Sequence, residues 1–458
     1  MKVTETIAAI ASSAGNSGIG IIRISGDEAI EIADKVFRSS KSIKLKDVKT
    51  HTVHYGHIVD GNKTLDQVLV IVLKAPHSFT GEDTVEIDCH GGTLILRKVL
   101  ELVIKSGARV AEPGEFTKRA FLNGKMDLSQ AEAVMDLIHS KNDFALNSSM
   151  EQLKGKVSNE IKDIRSDILY HIAFIESALD DPEHISLDGY SEQIMEMLDK
   201  NILKIDKMIQ SFDNGRIMKE GIRTVILGKP NAGKSSLLNL MLGEERAIVT
   251  DIEGTTRDTL EENINLGGIS LKIIDTAGIR NTDDKVEQIG VNKAKEMAES
   301  ADLIIFVADG SRKLDDNDKE IIQIISDKQA IILINKSDLN TVIDIEQLKI
   351  DSGRGVILFS AKEGEGIELL ETEIKNMFYS GQVTYNDQLY ITNARHKEAL
   401  DNANKSLHQV RNSVSDGMPE DFYSIDLMDA YSDLGLIIGE SVEDDLVNEI
   451  FSKFCMGK

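Results

Sequence analysis

The stretch Gly228-Lys229-Pro230-Asn231-Ala232-Gly233-Lys234-Ser235 decides the fold of the middle of the chain. It follows an apolar run at 224–227 and precedes a helix-like run at 236–240. In such a loop the glycines let successive backbone N–H groups curl around phosphate oxygens, the lysine supplies a positive charge, and the serine hydroxyl faces Mg²⁺. The strand before it and the helix after it therefore predict a site for a nucleoside triphosphate.

Three further motifs follow in order, and each closes an apolar run. The first is Asp-Thr-Ala-Gly at 275–278, where Asp275 is expected to hold Mg²⁺ through water and the Gly278 amide to sense the γ-phosphate. In Asn-Lys-Ser-Asp at 335–338, the Asp338 carboxylate is expected to accept two hydrogen bonds from guanine, a pair that adenine does not offer. Ser-Ala-Lys at 360–362 completes the base pocket. The four ordered motifs predict a GTP-binding domain.

The first switch segment, Gly-Thr-Thr-Arg-Asp at 254–258, is expected to supply Thr256 as a second Mg²⁺ ligand beside Ser235. Ras-like hydrolases carry a water-orienting glutamine directly after the Asp-Thr-Ala-Gly motif, but this chain has Ile279. Isoleucine cannot orient water, so hydrolysis needs another group. The acidic stretch at 283–287 is either a solvated loop or the source of that group.

Length and composition bound the remaining possibilities. The chain has 458 residues, 41% of them hydrophobic, which predicts about three domains with sizeable cores. No apolar run approaches the roughly 20 residues that cross a bilayer, and the N-terminal run 7–11 is too short for a signal peptide, so we expect a cytoplasmic protein. Two cysteines, Cys89 and Cys455, form neither a disulfide framework nor a zinc quartet.

The net charge of −25 is unevenly distributed. Residues 1–118 are neutral overall, residues 216–379 carry −9, and the remaining residues carry −16. Because Lys and Arg supply most non-specific affinity for nucleic acid, a chain this acidic is a poor RNA binder by itself. If RNA is the substrate, we expect a partner to help to hold it.

Hydrophobic periodicity divides the rest of the chain. Residues 1–118 mix short β-like runs at 20–24 and 68–73 with a helical stretch at 94–105, which indicates a compact α+β domain. From Val157 to Leu179, apolar residues recur every three or four positions and stop at Asp181-Pro182, which predicts a long amphipathic helix. Its partner is either the rest of a helical bundle, which we favour, or a second chain in a coiled coil.

Residues 389–414 and 421–454 also have helical patterns, separated by Asp-Gly-Met-Pro at 416–419. The simplest architecture is one helical bundle, residues 119–215 and 380–458, with the GTP-binding domain 216–379 inserted between its halves. The predicted fold class is thus multidomain, α+β and α/β, with an N-terminal α+β domain, a discontinuous helical bundle and an inserted P-loop (Ras-like) GTPase domain.

Over essentially its whole length the sequence resembles the MnmE (TrmE) family of tRNA-modifying GTPases. The segments that carry the resemblance outside the GTP-binding motifs are Gly-Ile-Gly-Ile-Ile-Arg-Ile-Ser-Gly at 18–26, Ser-Phe-Thr-Gly-Glu-Asp at 78–83, His-Gly-Gly at 90–92, Pro-Gly-Glu-Phe-Thr-Lys-Arg-Ala-Phe-Leu-Asn-Gly-Lys at 113–125, and the terminal Cys-Met-Gly-Lys at 455–458. The family usually has a branched aliphatic residue where Met456 stands.

The resemblance implies a homodimer, joined through N-terminal domains that bind a reduced folate, either 5,10-methylene- or 5-formyl-tetrahydrofolate. It implies a flavoprotein partner of the MnmG/GidA type, which carries the FAD, and a tRNA substrate. The product has a carboxymethylaminomethyl or aminomethyl group on C5 of the wobble uridine. The positions that match folate contacts are Arg23, Glu82, Lys125 and Lys458.

The resemblance also implies K⁺-dependent hydrolysis, with the ion held by Asn231, Thr250, Ile252 and Thr255 and the water-orienting carboxylate at Glu287. Such a cation neutralises charge that develops on the phosphates, as an arginine finger does. The motifs and the resemblance together assign GTP to Asn231, Ala232, Gly233, Lys234, Ser235, Ser236, Thr250, Asp251, Ile252, Glu253, Gly254, Thr255, Thr256, Asp275, Thr276, Ala277, Gly278, Asn335, Lys336, Asp338, Ser360, Ala361 and Lys362.

Cys455 leaves two interpretations open. Its distance from the end resembles a prenylation signal, but Gly457 and Lys458 do not suit that signal. The resemblance suggests a role in the modification chemistry, in which the thiolate attacks a pyrimidine ring. The alternative is a semi-buried thiol without a chemical role.

Two classes of function also remain open at this stage. The first is an enzyme of tRNA wobble-uridine modification, in which GTP hydrolysis drives a domain rearrangement. The second is a regulatory or ribosome-assembly GTPase whose flanking regions only bind a partner. Binding of a reduced folate by the full-length protein distinguishes them.

Overall fold

The computed structural model describes residues 5–13, 15–140, 142–244, 262–274, 298–299, 301–379, 390–440, 444–454 and 457. The chain forms two compact units. One comprises residues 1–138, 150–198 and 405–458, and the other comprises residues 139–149 and 199–404. The predicted boundaries near 118, 215 and 379 divide the chain more finely than these units, and they stay a prediction.

A mixed sheet organises the N-terminal part of the first unit. Among the described residues it has seven strands in the order β3-β4-β5-β6-β2-β1-β7, antiparallel except for the parallel β1–β7 pair. The strands are β1 Ile7–Ile10, β2 Ile19–Ser25, β3 Phe37–Ser39, β4 Thr52–Asp60, β5 Lys63–Leu73, β6 Thr84–His90 and β7 Arg109–Val110. The helices are α1 Ala29–Val36, α2 Thr93–Lys105 and α3 Glu115–Leu122, with a 3₁₀ turn at Leu45–Asp47.

Strand β2 shows why this sheet has two different faces. Ile22 and Ile24 are fully buried in a core that includes residues of α1 and α2. Because side chains alternate across a strand, Arg23 and Ser25 lie on the opposite face. On that face Phe116 of α3 joins a small apolar cluster with residues of β1. The polar residues of β2 are therefore held beside a helix instead of in open solvent.

Four helices follow along the chain: α4 Leu128–Ile138, α5 Asp143–Leu153, α6 Lys156–Asp180 and α7 Tyr190–Glu220. Helix α6 confirms the predicted amphipathic helix and ends directly before Asp181-Pro182. Val157 and the periodic isoleucines are buried, but Leu179 in the last turn is 47% exposed and Ala178 is buried instead.

The second unit contains a doubly wound sheet. Among the described residues its strands follow the order β13-β12-β11-β8-β10-β9, all parallel except β9, which runs antiparallel to β10. The strands are β8 Ile222–Leu227, β9 Glu262–Leu266, β10 Ile269–Ile273, β11 Leu303–Asp309, β12 Ala330–Asn335 and β13 Gly355–Leu358. The helices are α8 Lys234–Glu244, α9 Asp316–Ile325, α10 Ile345–Ser352 and α11 Ile367–Tyr379.

The strands expected before the four nucleotide-binding motifs are confirmed as β8, β10, β12 and β13. Strands β11 and β12 are buried along their whole length, as expected of a parallel sheet with both faces covered. In such a sheet ligands bind at the carboxyl ends of the strands, which is where the motifs lie. The topology thus brings together loops that are far apart in sequence.

The C-terminal helices are α12 Ala394–Ser415, α13 Glu420–Ile438 and α14 Asp444–Ser452. The helical pattern at 421–454 thus belongs to two helices instead of one, because α13 ends at Gly439 in a left-handed conformation. Helix α13 packs on α6, where Arg165 donates to the carbonyl oxygen of Tyr431 at 3.1 Å and pairs with Glu440. In the described part of the chain, no helix combines the length and the apolar character that crossing a membrane requires.

Candidate nucleotide site and N-terminal polar cluster

The phosphate-binding loop adopts the backbone conformation that its glycines predict. Gly233 has φ +104°, and a Cβ atom there would lie 1.9 Å from Nδ2 of Asn335. Asn335 donates from the same nitrogen to the carbonyl oxygen of Ala232 at 2.7 Å. The asparagine of one motif therefore supports the backbone of another. The exposed Asn231 also has a positive φ of 60°.

Lys234 begins helix α8 and is 5% exposed. Its ammonium group donates to the carbonyl oxygens of Gly228 at 2.8 Å and Lys229 at 2.9 Å. The loop thus holds the positive charge against its own backbone at the N-terminus of a helix, where the macrodipole also favours an anion. Both features suit a phosphate group.

The base pocket is assembled from the ends of β12 and β13. Ser360 donates from Oγ to Oδ1 of Asp338 at 2.9 Å, and the Ala361 amide donates to Oδ1 of Asn335 at 3.0 Å. The Asp338 side chain is exposed, as a carboxylate that binds a ligand must be. Lys362 is exposed and pairs with Glu363 at 3.2 Å. The predicted residues of these two motifs therefore lie together.

Asp309, at the end of β11, belongs to this site although no motif included it. Lys336 donates to its carboxylate at 2.6 Å, and Ser311 donates from Oγ at 2.6 Å. Burial raises the pKa of Asp309, but these hydrogen bonds outweigh burial and keep the pKa below its usual range. Asp309 thus fixes the lysine of the Asn-Lys-Ser-Asp motif. The sequence signal that could have identified Asp309 was an acidic residue at the end of an apolar run.

Several assigned positions lie outside the described residues. They are the switch residues Thr250, Asp251, Ile252, Glu253, Gly254, Thr255 and Thr256, the motif Asp275, Thr276, Ala277 and Gly278, and the residues Glu287, Cys455 and Lys458. Their roles stay predictions.

A second group of polar side chains lies on the helix-covered face of the N-terminal sheet. We define the N-terminal polar cluster as Arg23, Ser25, Thr80, Glu82, Glu86 and Arg119. Arg23 donates from Nε to Glu86 at 2.7 Å, across the register of β2 and β6. It also donates to the carbonyl oxygen of Gly457 at 3.2 Å, so the chain terminus reaches this cluster.

Glu82 is held from two sides. Ser25 donates from Oγ to Oε2 of Glu82 at 2.8 Å, and Arg119 donates from one nitrogen to both carboxylate oxygens at 3.2 and 3.1 Å. Lys125 lies beside Gly81, the residue directly before Glu82. The Cγ of Lys125 is 3.3 Å from the position that a Cβ on Gly81 would occupy. Its ammonium group donates to the carbonyl oxygen of Pro76 at 3.1 Å. Three of the four predicted folate contacts, Arg23, Glu82 and Lys125, thus lie in or beside the N-terminal polar cluster.

Sequence reasoning missed Ser25, Thr80, Glu86 and Arg119. Arg119 stands inside the segment 113–125 and Ser25 inside the segment 18–26, and both segments carry the family resemblance, so both residues were within reach. Their pairing with Glu82 joins residues 37 and 57 positions apart, which no short motif encodes.

The thiol of Cys89 is buried in the N-terminal core. Burial, followed by the charges of Asp66 and Asp88, raises its pKa to about 12. A thiol in that state is a poor nucleophile at neutral pH. Metal sites are also missing from the described ranges, where no three His, Cys, Asp or Glu side chains are grouped to hold an ion.

Comparison with known proteins supports the assignment of the whole chain. Residues 6–125 match the family model described as the GTP-binding protein TrmE N-terminus, and residues 128–455 match the MnmE helical domain. The tRNA modification GTPase MnmE of Lachnoclostridium phytofermentans is 57% identical over 99% of this chain and 100% of its own length. The protein of the same name from Acetivibrio thermocellus is 50% identical over the full length of both chains.

Among solved structures, the G domain of the T. maritima FeoB iron transporter aligns with 34% of this chain and 98% of its own chain, at 24% identity and a TM-score of 0.26. The full-length relatives and the two family models identify the sequence, and the phosphate-binding loop and guanine pocket give it the machinery of a GTP hydrolase. The chain belongs to the MnmE family of tRNA modification GTPases.

Proposed function

We propose that this protein is a K⁺-stimulated GTPase that modifies C5 of wobble uridine in tRNA, together with a flavoprotein of the MnmG/GidA type. A reduced folate supplies the one-carbon unit, and the product carries a carboxymethylaminomethyl or aminomethyl group. The family membership supports GTP hydrolysis and tRNA modification. The folate, the cation and the partner are the proposed parts.

The observation that carries the proposal is the N-terminal polar cluster with Lys125 beside it. Glu82 is a carboxylate held at both oxygens, and its acceptor geometry suits the N–H and amino edge of a pterin. Arg23 and Lys125 supply cations suited to the glutamyl carboxylates of a folate. A regulatory GTPase without modification chemistry has no use for such a donor set. Bound there, the folate would supply a carbon at the oxidation level of formaldehyde or formate.

In the nucleotide site, Asp338 selects guanine and Lys234 neutralises phosphate charge. Ser235 and Thr256 would hold Mg²⁺, and Asn231, Thr250, Ile252 and Thr255 would hold K⁺ with side-chain and backbone oxygens. These oxygen donors suit hard cations. Glu287 orients the attacking water in place of the glutamine that this chain lacks.

Cys455 is the proposed nucleophile or redox group for the uridine. Cys89 is unsuited to that role because its thiol is buried and its pKa is raised. Arg23 donates to the carbonyl oxygen of Gly457, which stands two positions after Cys455 in the sequence, and this supports a role for Cys455 near the folate. A homodimer joined through the N-terminal domains doubles the net charge of −25 that each chain carries, so the flavoprotein partner has to help to hold the tRNA.

Nucleoside analysis of tRNA from a strain lacking this protein tests the proposal directly. We expect the C5 modification to disappear from wobble uridine and to return with the wild-type gene. Intact modification in the deletion strain would leave only the GTPase switch.

Two solution measurements test the nucleotide mechanism. We expect faster GTP hydrolysis in K⁺ than in Na⁺, and loss of hydrolysis in Glu287→Ala while GTP still binds. Equal rates in the two salts would remove the cation from the mechanism.

The variant Cys455→Ser tests the thiol. Since a hydroxyl is a far weaker nucleophile than a thiolate, we expect tRNA from cells that rely on this variant to lack the modification. Full modification would reject both the nucleophilic and the redox role.

A further inference from the structure

Arg119 is a charged side chain buried almost completely, at 2% exposure. It donates to Glu82 from one terminal nitrogen, and from the other to Glu115 at 2.9 Å and the carbonyl oxygen of Glu5 at 2.8 Å. A guanidinium in such a place loses its hydration, and the loss is offset only by good pairing.

The pairing is incomplete, because Nε of Arg119 is buried and has no hydrogen-bond partner among the described residues. Replacing a buried ion pair with apolar residues is often neutral or stabilising, so stability alone does not account for this arginine. The costly group requires another reason, and its contact with Glu82 suggests one.

Glu115 binds the terminal nitrogen of Arg119 that does not contact Glu82. Arg109 binds Glu115 with two parallel hydrogen bonds, at 3.0 and 2.6 Å, and the Glu112 amide donates to it at 2.8 Å. Charges therefore alternate from Arg109 through Glu115 and Arg119 to Glu82. Each member fixes the next, and the series ends at the carboxylate that the proposed function assigns to the pterin.

Without Arg119, the orientation of the Glu82 carboxylate would be less well fixed. Besides Arg119, the described residues give this carboxylate one hydrogen bond, from the hydroxyl of Ser25 to Oε2, while the backbone amide of Glu82 donates to Thr80. A single hydroxyl holds one oxygen and leaves the carboxylate plane free to rotate. Arg119 contacts both oxygens and removes that freedom, which is the preorganisation that a specific ligand contact requires.

We propose that Arg119 is a positioning residue that orients the Glu82 carboxylate toward the N–H and amino edge of a reduced folate. The inference rests on the proposed folate site and adds a residue that acts through Glu82 without touching the ligand. Arg97 of helix α2 pairs with Glu101 on the surface and stands outside this series, so it provides a matched arginine control.

The test measures binding of 5-formyl-tetrahydrofolate to the full-length protein by calorimetry. Glu82→Gln, Arg119→Gln and the double variant form one cycle, with Arg97→Gln as the control. We expect Arg119→Gln to weaken binding about 10- to 100-fold, as loss of a supporting partner behind a ligand contact does in other sites. Arg97→Gln, which removes only an exposed ion pair, should change it less than about threefold.

The double variant separates positioning from general damage. If Arg119 acts through Glu82, adding Arg119→Gln to Glu82→Gln weakens binding by less than about threefold more, because the contact is already lost. A purely structural arginine gives losses that multiply. GTP affinity, measured on every sample, reports that the rest of the chain is folded.

Arg119→Lys covers the case in which Arg119→Gln does not fold. Lysine keeps the buried charge but cannot hold both oxygens and Glu115 with a planar fork, so we expect a folded protein with weakened folate binding. Wild-type affinity in a folded Arg119→Gln or Arg119→Lys variant, or multiplicative losses in the cycle, overturns the inference. Failure of the wild-type protein to bind the folate overturns the proposed function instead.

Discussion

The nucleotide site and the N-terminal polar cluster are built in different ways. In the nucleotide site, backbone conformation does most of the positioning: a glycine at φ +104°, carbonyl oxygens around Lys234 and a backbone amide on Asn335. In the cluster, side chains hold one another, and the partners Arg23 and Gly457 are 434 positions apart. Backbone sites tolerate changes in ligand-facing side chains, whereas a network of buried charges depends on every member.

This difference predicts which substitutions affect binding alone and which affect the fold. An exposed carboxylate such as Asp338 can lose its charge without loss of structure. A buried carboxylate such as Glu115 cannot, because two arginines rely on it.

Asp338→Asn should have the largest effect. The variant loses two hydrogen bonds from guanine to a charged acceptor, so we expect GTP to bind about 10²- to 10⁴-fold more weakly. Asparagine can still accept from Ser360 and can donate to the 2-oxo group of xanthine, so the affinity for XTP should rise. Fluorescence titration with both nucleotides measures the loss of GTP affinity and the gain of XTP affinity. An equal loss for GTP and XTP would mean that the pocket, not the base contact, was damaged.

Glu115→Gln should destabilise the protein by about 3 kcal/mol at neutral pH, because the buried Arg119 and the partly exposed Arg109 lose their shared negative partner. Burial raises the pKa of Glu115, but hydrogen bonds from Arg109, the Glu112 amide and Arg119 outweigh burial and lower it. The ionised carboxylate thus stabilises the wild type above its unfolded pKa, and this contribution disappears as the pH falls through the folded pKa.

The difference between wild type and Glu115→Gln should therefore be largest at neutral pH and shrink in acid. Calorimetric unfolding from pH 7 downward measures it, and added GDP identifies the transition that belongs to the nucleotide site. The exposed Glu346→Gln variant serves as a control, since its surface pair with Lys349 contributes little. A pH-independent difference would show that charge is not what Glu115 contributes.

Gly233→Ala tests the backbone site. Its added Cβ would meet Asn335, and the positive φ strains any other residue, so we expect GTP affinity to fall about 10- to 100-fold. Gly243→Ala is a matched control in helix α8, because no described residue outside the adjoining helix backbone comes within 4 Å of a Cβ there and alanine favours helix. Comparable losses in the two variants would argue against the loop geometry as the cause.

The sequence predicted the nucleotide site better than the N-terminal polar cluster, and the different ways in which the two are built explain why. Asn335, Asp338 and Ser360 follow buried parallel strands, and parallel strands bring their carboxyl ends to one edge, so local motifs were sufficient. The series from Arg109 to Glu82 depends on how α3 packs on the N-terminal sheet, which residue types alone do not specify.

The helices show the same limit on a smaller scale. The periodicity of α6 gave both its length and its buried face, except in its last turn at Leu179. The 421–454 pattern did not reveal the break at Gly439, where a Cβ would lie 2.8 Å from side-chain atoms of Leu128 and Phe121. Close packing by these two residues, 311 and 318 positions away in the sequence, determined that helix end.

Gly457→Ala should have the smallest effect of these variants, and it tests the N-terminal polar cluster and not the nucleotide site. Gly457 has φ +86°, and a Cβ would lie 2.4 Å from the carbonyl oxygen of Ile10, so alanine must displace the terminal segment from β1. Strain of about 1 kcal/mol corresponds to a roughly fivefold lower population of the docked segment. We expect a similar decrease in tRNA modification, measured as modified nucleoside per tRNA, with GTP affinity unchanged.

Gly417→Ala is the control that separates strain from displacement at the terminus. Gly417 also has a positive φ, +66°, but apart from its chain neighbours no described residue comes within 4 Å of its Cβ position, so alanine adds strain without a collision. If docking of the terminal segment brings Cys455 to the N-terminal polar cluster, only Gly457→Ala lowers modification. Equal modification in both variants and the wild type would mean that the contact between Arg23 and Gly457 has no part in the reaction, and the cluster would then act without the chain terminus.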